Sequence, residues 1–371
     1  MLTSAVQVVF RVDSSLEMGA GHVMRCLALA DALSVTGVSC RFITRAHLGN
    51  ITALVAKRGY EVSLLPVGIL QDHSETQPNP YARWLGVHCL LDAEQTIAAL
   101  ANRPKPKWLV VDHYALDHQW ERMVRHSCEH LLVLDDLANR NHDADMLIDQ
   151  TLGRLESDYL NLVNLTCQVR CGVQHVLLRS EFNEWRKISL ERRVDPILRR
   201  ILISLGGVDQ YNISSQILRI LGKCGLPADI EICIILGESS PWIADLRQLV
   251  RECSTKVQLI VAAENMAELL AGCDLAIGAA GTSCWERCYL GVPTLMLVLA
   301  ENQREIAARV AEKGAVKLLA TGVDYALDLE MAVLRLLANP AELKIMSKNA
   351  SELVVRSGAG SLAQDMLSAM K

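Results

Sequence analysis

The sequence predicts an α/β fold of two doubly wound parallel-sheet domains, and three observations predict it. Short apolar runs alternate with amphipathic stretches along the chain, the signature of βαβ units. The alternation restarts near residue 200, and 371 residues exceed what one core of ~150 residues holds. Hydrophobic residues make up 51% but aromatics only 4%, so the cores must be Val, Ile, Leu and Ala. That composition suits parallel strands covered on both faces.

The elements follow in order. Val6 to Val12 reads as a strand and His22 to Ser34 as a helix. Arg41 to Thr44 and Glu61 to Leu65 are strands flanking a helix at Ile51 to Lys57. The polar, Pro-containing stretch from Gln71 to Pro80 reads as a surface loop. Trp108 to Val111 is a strand, followed by a helix at Asp117 to His126 and strands at Leu131 to Leu134 and Met146 to Ile148. Charges crowd around Pro196, so Glu191 to Arg200 is taken as the linker, giving Rossmann-like domains of residues 1–191 and 192–371. The second begins with strand Ile201 to Leu205, helix Ile213 to Leu221 and strand Ile230 to Leu236. Helix Ile243 to Arg251, strand Val257 to Val261, strand Leu275 to Ile277 and helix Ser283 to Leu290 continue it. Strand Thr294 to Leu299, helix Arg304 to Lys313 and a helical stretch from Leu327, broken at Asn339-Pro340, complete it.

Composition also excludes. A net charge of −5 gives no general basis for nucleic-acid binding. The first residues lack a basic region followed by an apolar stretch, and no apolar run reaches ~18 residues, so no membrane association is expected. The twelve cysteines are scattered, and neither Cys167/Cys171 nor Cys284/Cys288 has a second zinc-like pair. They read as buried reduced thiols of a cytoplasmic protein.

Doubly wound sheets bind ligands at the carboxyl ends of their strands, so chemistry is expected in the strand-to-helix loops, meeting in one cleft if the domains face each other. The first loop holds Asp13, Gly19, Gly21, His22 and Arg25. Its glycines allow close backbone approach, but Met24 occupies the third position of a dinucleotide fingerprint, which argues against NAD. At a helix entry the macrodipole disfavours added positive charge, so His22 is expected neutral and able to take a proton from water. Arg25, three positions on, is placed to meet an anion. His22 as a simple turn cap is the competing reading.

Asp112, His113 and Tyr114 follow a second strand and suit either sugar contacts or structural capping. Asp135-Asp136 has the same placement, without the His or Cys spacing of a metal site. In the second domain, Gly206-Gly207 and Gly281-Thr282-Ser283 are small residues turning into helices, where free N–H groups receive a diphosphate. Glu286 is placed for ribose hydroxyls or for a salt bridge with Arg287, and Asn302-Gln303 for sugar amides or helix capping.

Several of these segments together resemble one family. Phe10 to Ser15 with Gly19 to Leu27, Val111 to Tyr114, Leu134 to Asp136, Val169 to Gly172, Leu178 to Phe182, Leu205 to Asp209, Gly278 to Glu286 and Glu301 to Gln303 resemble, in order, the UDP-2,4-diacetamido-2,4,6-trideoxy-β-L-altropyranose hydrolases of pseudaminic acid biosynthesis. The segment Gln71 to Gln95 and the final ~60 residues lie outside the match. The resemblance implies a glycosyltransferase-B-type architecture, related to the peptidoglycan N-acetylglucosaminyltransferase. It implies attack of water on the anomeric carbon with inversion and release of UDP, without metal or cofactor. His22 falls at the catalytic histidine's position, and Tyr114 and Asn302 at substrate positions. Inverting hydrolysis generally needs a base and an acid, but a diphosphate held by positive dipoles leaves without the acid. A glycosyltransferase on the same fold, a nonhydrolysing 2-epimerase and a sugar-nucleotide-binding regulator are the rivals.

Overall fold

The computed structural model describes residues 7–68, 79–320 and 322–370. The expected loop Gln71 to Pro80, apart from Asn79 and Pro80, lies outside the described residues, as does Val6.

Two compact units appear: residues 1–179 with 357–371, and residues 180–356. In the first, β1 (Val8–Val12), β2 (Cys40–Arg45), β3 (Glu61–Leu65), β4 (Trp108–Asp112), β5 (His130–Leu134), β6 (Met146–Asp149) and β7 (Gln168–Cys171) form a sheet of order β3-β2-β1-β4-β5-β6-β7. Every pairing is parallel. The two-residue period divides β1 cleanly. Val8, Phe10 and Val12 join the core beneath the helix Gly21–Ser34, while Val9 joins the opposite core with Leu109, Val111 and Trp120. Both faces are covered, which is why the strand is apolar at every position but Arg11.

In the second unit, β8 (Arg200–Ser204), β9 (Glu231–Leu236), β10 (Lys256–Val261), β11 (Leu275–Ala279), β12 (Thr294–Leu297) and β13 (Val316–Leu318) take the order β10-β9-β8-β11-β12-β13, again all parallel. The sheet order reverses between β1 and β4 in one unit and between β8 and β11 in the other. At such points the loops leaving adjacent strands diverge and open a crevice.

The boundary differs from the sequence expectation at both ends. The helix Glu181–Arg192, not anticipated, belongs to the second unit. Ser189 donates to the carbonyl of Leu290, and the buried Arg193 guanidinium donates to the carbonyls of Leu270, Ala271 and Cys273. Those charges were read as linker because Arg193 looks solvated in sequence, yet it caps a buried turn. At the other end the helix Ala359–Ala369 returns to the first unit. There Leu362, Ala363 and Met366 bury in the core under Gly21–Ser34, and the Trp108 indole donates to the Met366 carbonyl at 3.1 Å. Burying Leu362 and Met366 stabilises the unit by about 1.5–3 kcal/mol each.

The helices Cys89–Leu100 and Met266–Gly272 and the strands β7 and β13 were also not separately anticipated. β13 is three residues long, too short for a periodicity to register.

Candidate active site

The chain leaving β1 turns through Ser15, whose hydroxyl accepts from the N–H groups of Glu17 and Met18, and Gly19 takes a φ of +72°. A side chain other than glycine is strained there. This tight turn delivers His22 and Arg25 to the first two turns of the helix Gly21–Ser34. Asp112 is the last residue of β4, the strand beside β1 across the order reversal. The topology therefore brings together residues 90 apart in sequence: His22 Nδ1 lies 2.6 Å from Asp112 Oδ1.

Arg25 holds Asp112 from the other side, with Nε to Oδ2 at 2.6 Å and Nη2 to Oδ1 at 2.7 Å. A fork of this kind fixes both distance and plane. Asp112 is fully buried; burial pushes its carboxyl pKa up, but the charges of Arg25 and then His22 outweigh it and hold the group ionised well below the usual range. An ionised carboxylate only accepts, so the proton between Nδ1 and Asp112 resides on the imidazole. A neutral imidazole with its proton on Nδ1 carries its lone pair on Nε2. Among the described residues no side chain or backbone group bonds Nε2, and His22 retains 8% exposure. The arrangement can take a proton at one defined atom.

Arg25, expected to meet an anion, is committed elsewhere: its third bond goes to Asp136 Oδ2 at 2.6 Å. The Tyr114 hydroxyl donates to that same oxygen at 2.7 Å, and its ring meets the His22 ring edge-on at 4.6 Å. Burial, then the Asp136 charge, raises the phenol well above its ordinary pKa, so it stays protonated.

Asp13 and His113 do not join this group. Asp13 is fully buried, paired with Arg11 at 2.6 and 2.8 Å, and accepts the Arg45 N–H at 2.6 Å. Arg11 and Arg45 also bind Asp92, which further accepts the Trp120 indole N–H at 2.9 Å. Two guanidinium and two carboxylate groups thus cancel inside the unit, and Asp13 shapes the loop rather than facing a ligand. His113 accepts from the Ala115 N–H and is pushed by burial down to about 3, so it is neutral. Asp92 carried no sequence signal, because its partners lie 81 and 47 residues away. Asp136 was noted only by its place after a strand.

In the second unit the expected residues leave β8, β11 and β12. Gly206 has a φ of +92°, and the Gly207 carbonyl accepts the Gly237 N–H at 2.7 Å. Asp209 caps the helix Ile213–Leu221, accepting from Ile213 and Ser214 at 2.9 and 2.8 Å. Gly281, Thr282 and Ser283 precede or begin the helix Ser283–Tyr289, whose Cys284 and Trp285 N–H groups donate back to the Gly281 and Thr282 carbonyls at 2.8 and 3.1 Å. Arg287 is taken by Ser283 Oγ at 3.0 Å and the Ala279 carbonyl at 2.6 Å, and Glu286 lies half-buried beside it. Gln303 caps, its Oε1 accepting from the Leu299 N–H at 3.0 Å, while Asn302 is half-buried.

Residues 200–365 match the glycosyltransferase family 28 C-terminal domain. The chain is 25% identical over 309 residues to the UDP-2,4-diacetamido-2,4,6-trideoxy-β-L-altropyranose hydrolase of Campylobacter jejuni, covering 83% of this chain and 97% of that one. It is 26% identical over 307 residues to an uncharacterised protein of Methanocaldococcus jannaschii, covering 81% of this chain but only 57% of that protein. Among solved structures it is similar to Acinetobacter baumannii MurG, with a TM-score of 0.63 at 15% identity, covering 98% and 99% of the two chains. It is also similar to LpCGTa in complex with UDP, with a TM-score of 0.65 at 16% identity, covering 99% and 100%. The fold is of the glycosyltransferase-B type. This chain's own two sheets are all-parallel, and its resemblance to the hydrolase extends over 83% of its length. Among the described residues no helix is long and apolar enough to cross a membrane.

Proposed function

We propose that this protein hydrolyses a UDP-linked amino sugar, with His22 as the general base. The observation that carries the reading is the Arg25–Asp112–His22 chain at the sheet reversal, which fixes the proton on Nδ1 and leaves Nε2 to accept one. In the proposed step Nε2 takes a proton from water as its oxygen bonds to the anomeric carbon. The bond from that carbon to the UDP oxygen breaks, the electron pair leaves with UDP, and the configuration inverts. The N–H groups at Gly281, Thr282 and Ser283 and the Gly206-Gly207 turn are the proposed diphosphate contacts of the second unit, with Glu286 for the ribose and Asn302 and Gln303 for the sugar. Donors around the diphosphate stabilise the departing charge, so no protein acid is required. The similarity to the Campylobacter jejuni enzyme supports UDP-2,4-diacetamido-2,4,6-trideoxy-β-L-altropyranose as substrate.

A second reading, transfer of the sugar to an acceptor hydroxyl, is favoured by the family 28 match of residues 200–365. Incubation with a panel of UDP-amino sugars, followed by NMR of the products, separates the two. Free inverted sugar plus UDP supports hydrolysis. UDP-sugar that is consumed only when an acceptor is added overturns it in favour of transfer.

A further inference from the structure

In a chain with 4% aromatic residues, three of them cluster beside the one histidine proposed as base. Tyr81 and Trp84 lie 4.8 Å apart, Tyr81 lies 5.2 Å from Tyr114, and Trp84 stacks on Tyr114 at 5.8 Å. The segment carrying Tyr81 and Trp84 is fixed on two sides. Asn79 Nδ2 donates to the Tyr114 carbonyl at 2.8 Å and its Oδ1 accepts the Tyr81 N–H at 2.9 Å. Arg83 pairs with Glu17 of the glycine-containing loop at 2.6 Å.

Core packing does not account for the two rings. Leu85, next in the chain, is 1% exposed and belongs to the core on that face of the sheet, whereas Tyr81 and Trp84 are only half-buried and stand outside it. Both rings pack against Tyr114, whose hydroxyl donates a hydrogen bond to Asp136. The surface they present is rich in ring area, which favours burial of an apolar ligand face. A saturated sugar ring offers such a face on its C–H side, and a deoxy position or an acetamido group adds a methyl.

We propose that Tyr81 and Trp84 form an aromatic wall of the sugar subsite that receives the apolar face of a deoxy amino sugar. The proposal deepens the hydrolase reading and rests on it for the position of the sugar. The wall acts on affinity for the sugar half of the substrate, not on proton transfer and not on UDP.

The experiment compares wild type with Trp84→Ala, Tyr81→Ala and Trp84→Phe. Calorimetry measures Kd for UDP, for UDP-N-acetylglucosamine and for the 6-deoxy diacetamido UDP-sugar, and UDP release gives kcat and KM. The expected result for Trp84→Ala is a rise of about tenfold in Kd and KM for the 6-deoxy sugar, with a smaller rise for UDP-N-acetylglucosamine. UDP affinity and melting temperature stay at wild-type values, and Trp84→Phe recovers most of the loss. An equal weakening of UDP and UDP-sugar binding, or no weakening of either, overturns the wall. If the wild type binds these sugars but releases no UDP, the hydrolase reading fails while the Kd comparison still decides the wall.

Discussion

The two sheet reversals are built from opposite materials. Between β1 and β4 the crevice is lined by buried charge: Arg25 bridges Asp112 and Asp136, and behind them Arg11, Arg45, Asp13 and Asp92 compensate one another. Between β8 and β11 the loops open with small residues, Gly206-Gly207 after one strand and Ala280-Gly281-Thr282-Ser283 after the other. The same topology thus yields one turn that fixes a proton's location and, in the proposed reading, another that receives the diphosphate. The first needs many partners per side chain. The second needs few side chains at all.

The largest expected effect breaks the first site alone. His22→Ala is expected to lower kcat by ~10²–10⁴-fold while leaving UDP affinity, measured by calorimetry, unchanged. Near-wild-type turnover would remove His22 from its proposed role. Asp112→Ala comes next, because it strips the partner from a buried guanidinium as well as the histidine. It is expected to cost about 3–5 kcal/mol of unfolding free energy in urea titration, in addition to activity. A loss below about 1 kcal/mol would mean Arg25 is satisfied without it.

Acid should find the first unit before the second. His113 is held at about 3 by burial, below its unfolded value of about 6.5, so the unfolded chain binds more protons between those limits. Its contribution is present above the unfolded value and is lost as pH falls from there towards 3. Asp112 and Asp13, both lowered, add stability that is present above about 3.9 and is lost as pH falls further. Hydrogen exchange is expected to show the strands β1 and β4 opening at higher pH than β8 and β11. Simultaneous opening would contradict the contrast in buried charge.

The smallest effects sharpen the second site. A Cβ at Gly278 would meet Arg287 Nη1 at 2.7 Å and the Ser204 carbonyl at 3.1 Å, so Gly278→Ala is expected to cost about 1–3 kcal/mol. At Gly206 the added Cβ meets nothing within 4 Å, and only the positive φ is penalised, so Gly206→Ala is expected to cost about 1 kcal/mol. Thermal melting of both variants tests that order.

Much of the fold was legible because parallel strands buried on both faces spell themselves out as apolar runs, as Leu109-Val110-Val111 does. The loop carrying His22 was legible because glycine, helix start and imidazole are adjacent. Asp112 was legible as a residue at a strand end, but its bond to His22 was not, since it depends on strand order. Arg25 and Asp13 were named for ligand contact because sequence does not show which charges are already compensated. Arg193 was misjudged as linker for the same reason. Asp92, on an unanticipated helix, had no local pattern to announce it.

The return of Ala359–Ala369 to the first unit has a consequence for biosynthesis. The first unit's chain emerges from the ribosome before the second's, yet its core lacks Leu362, Ala363 and Met366 until the final helix has been made. Residues 180–356 are complete earlier and can fold while the preceding unit still exposes an apolar strip. Order of translation and order of completion therefore run in opposite directions, and a nascent chain stalled short of residue 359 would present that strip to chaperones.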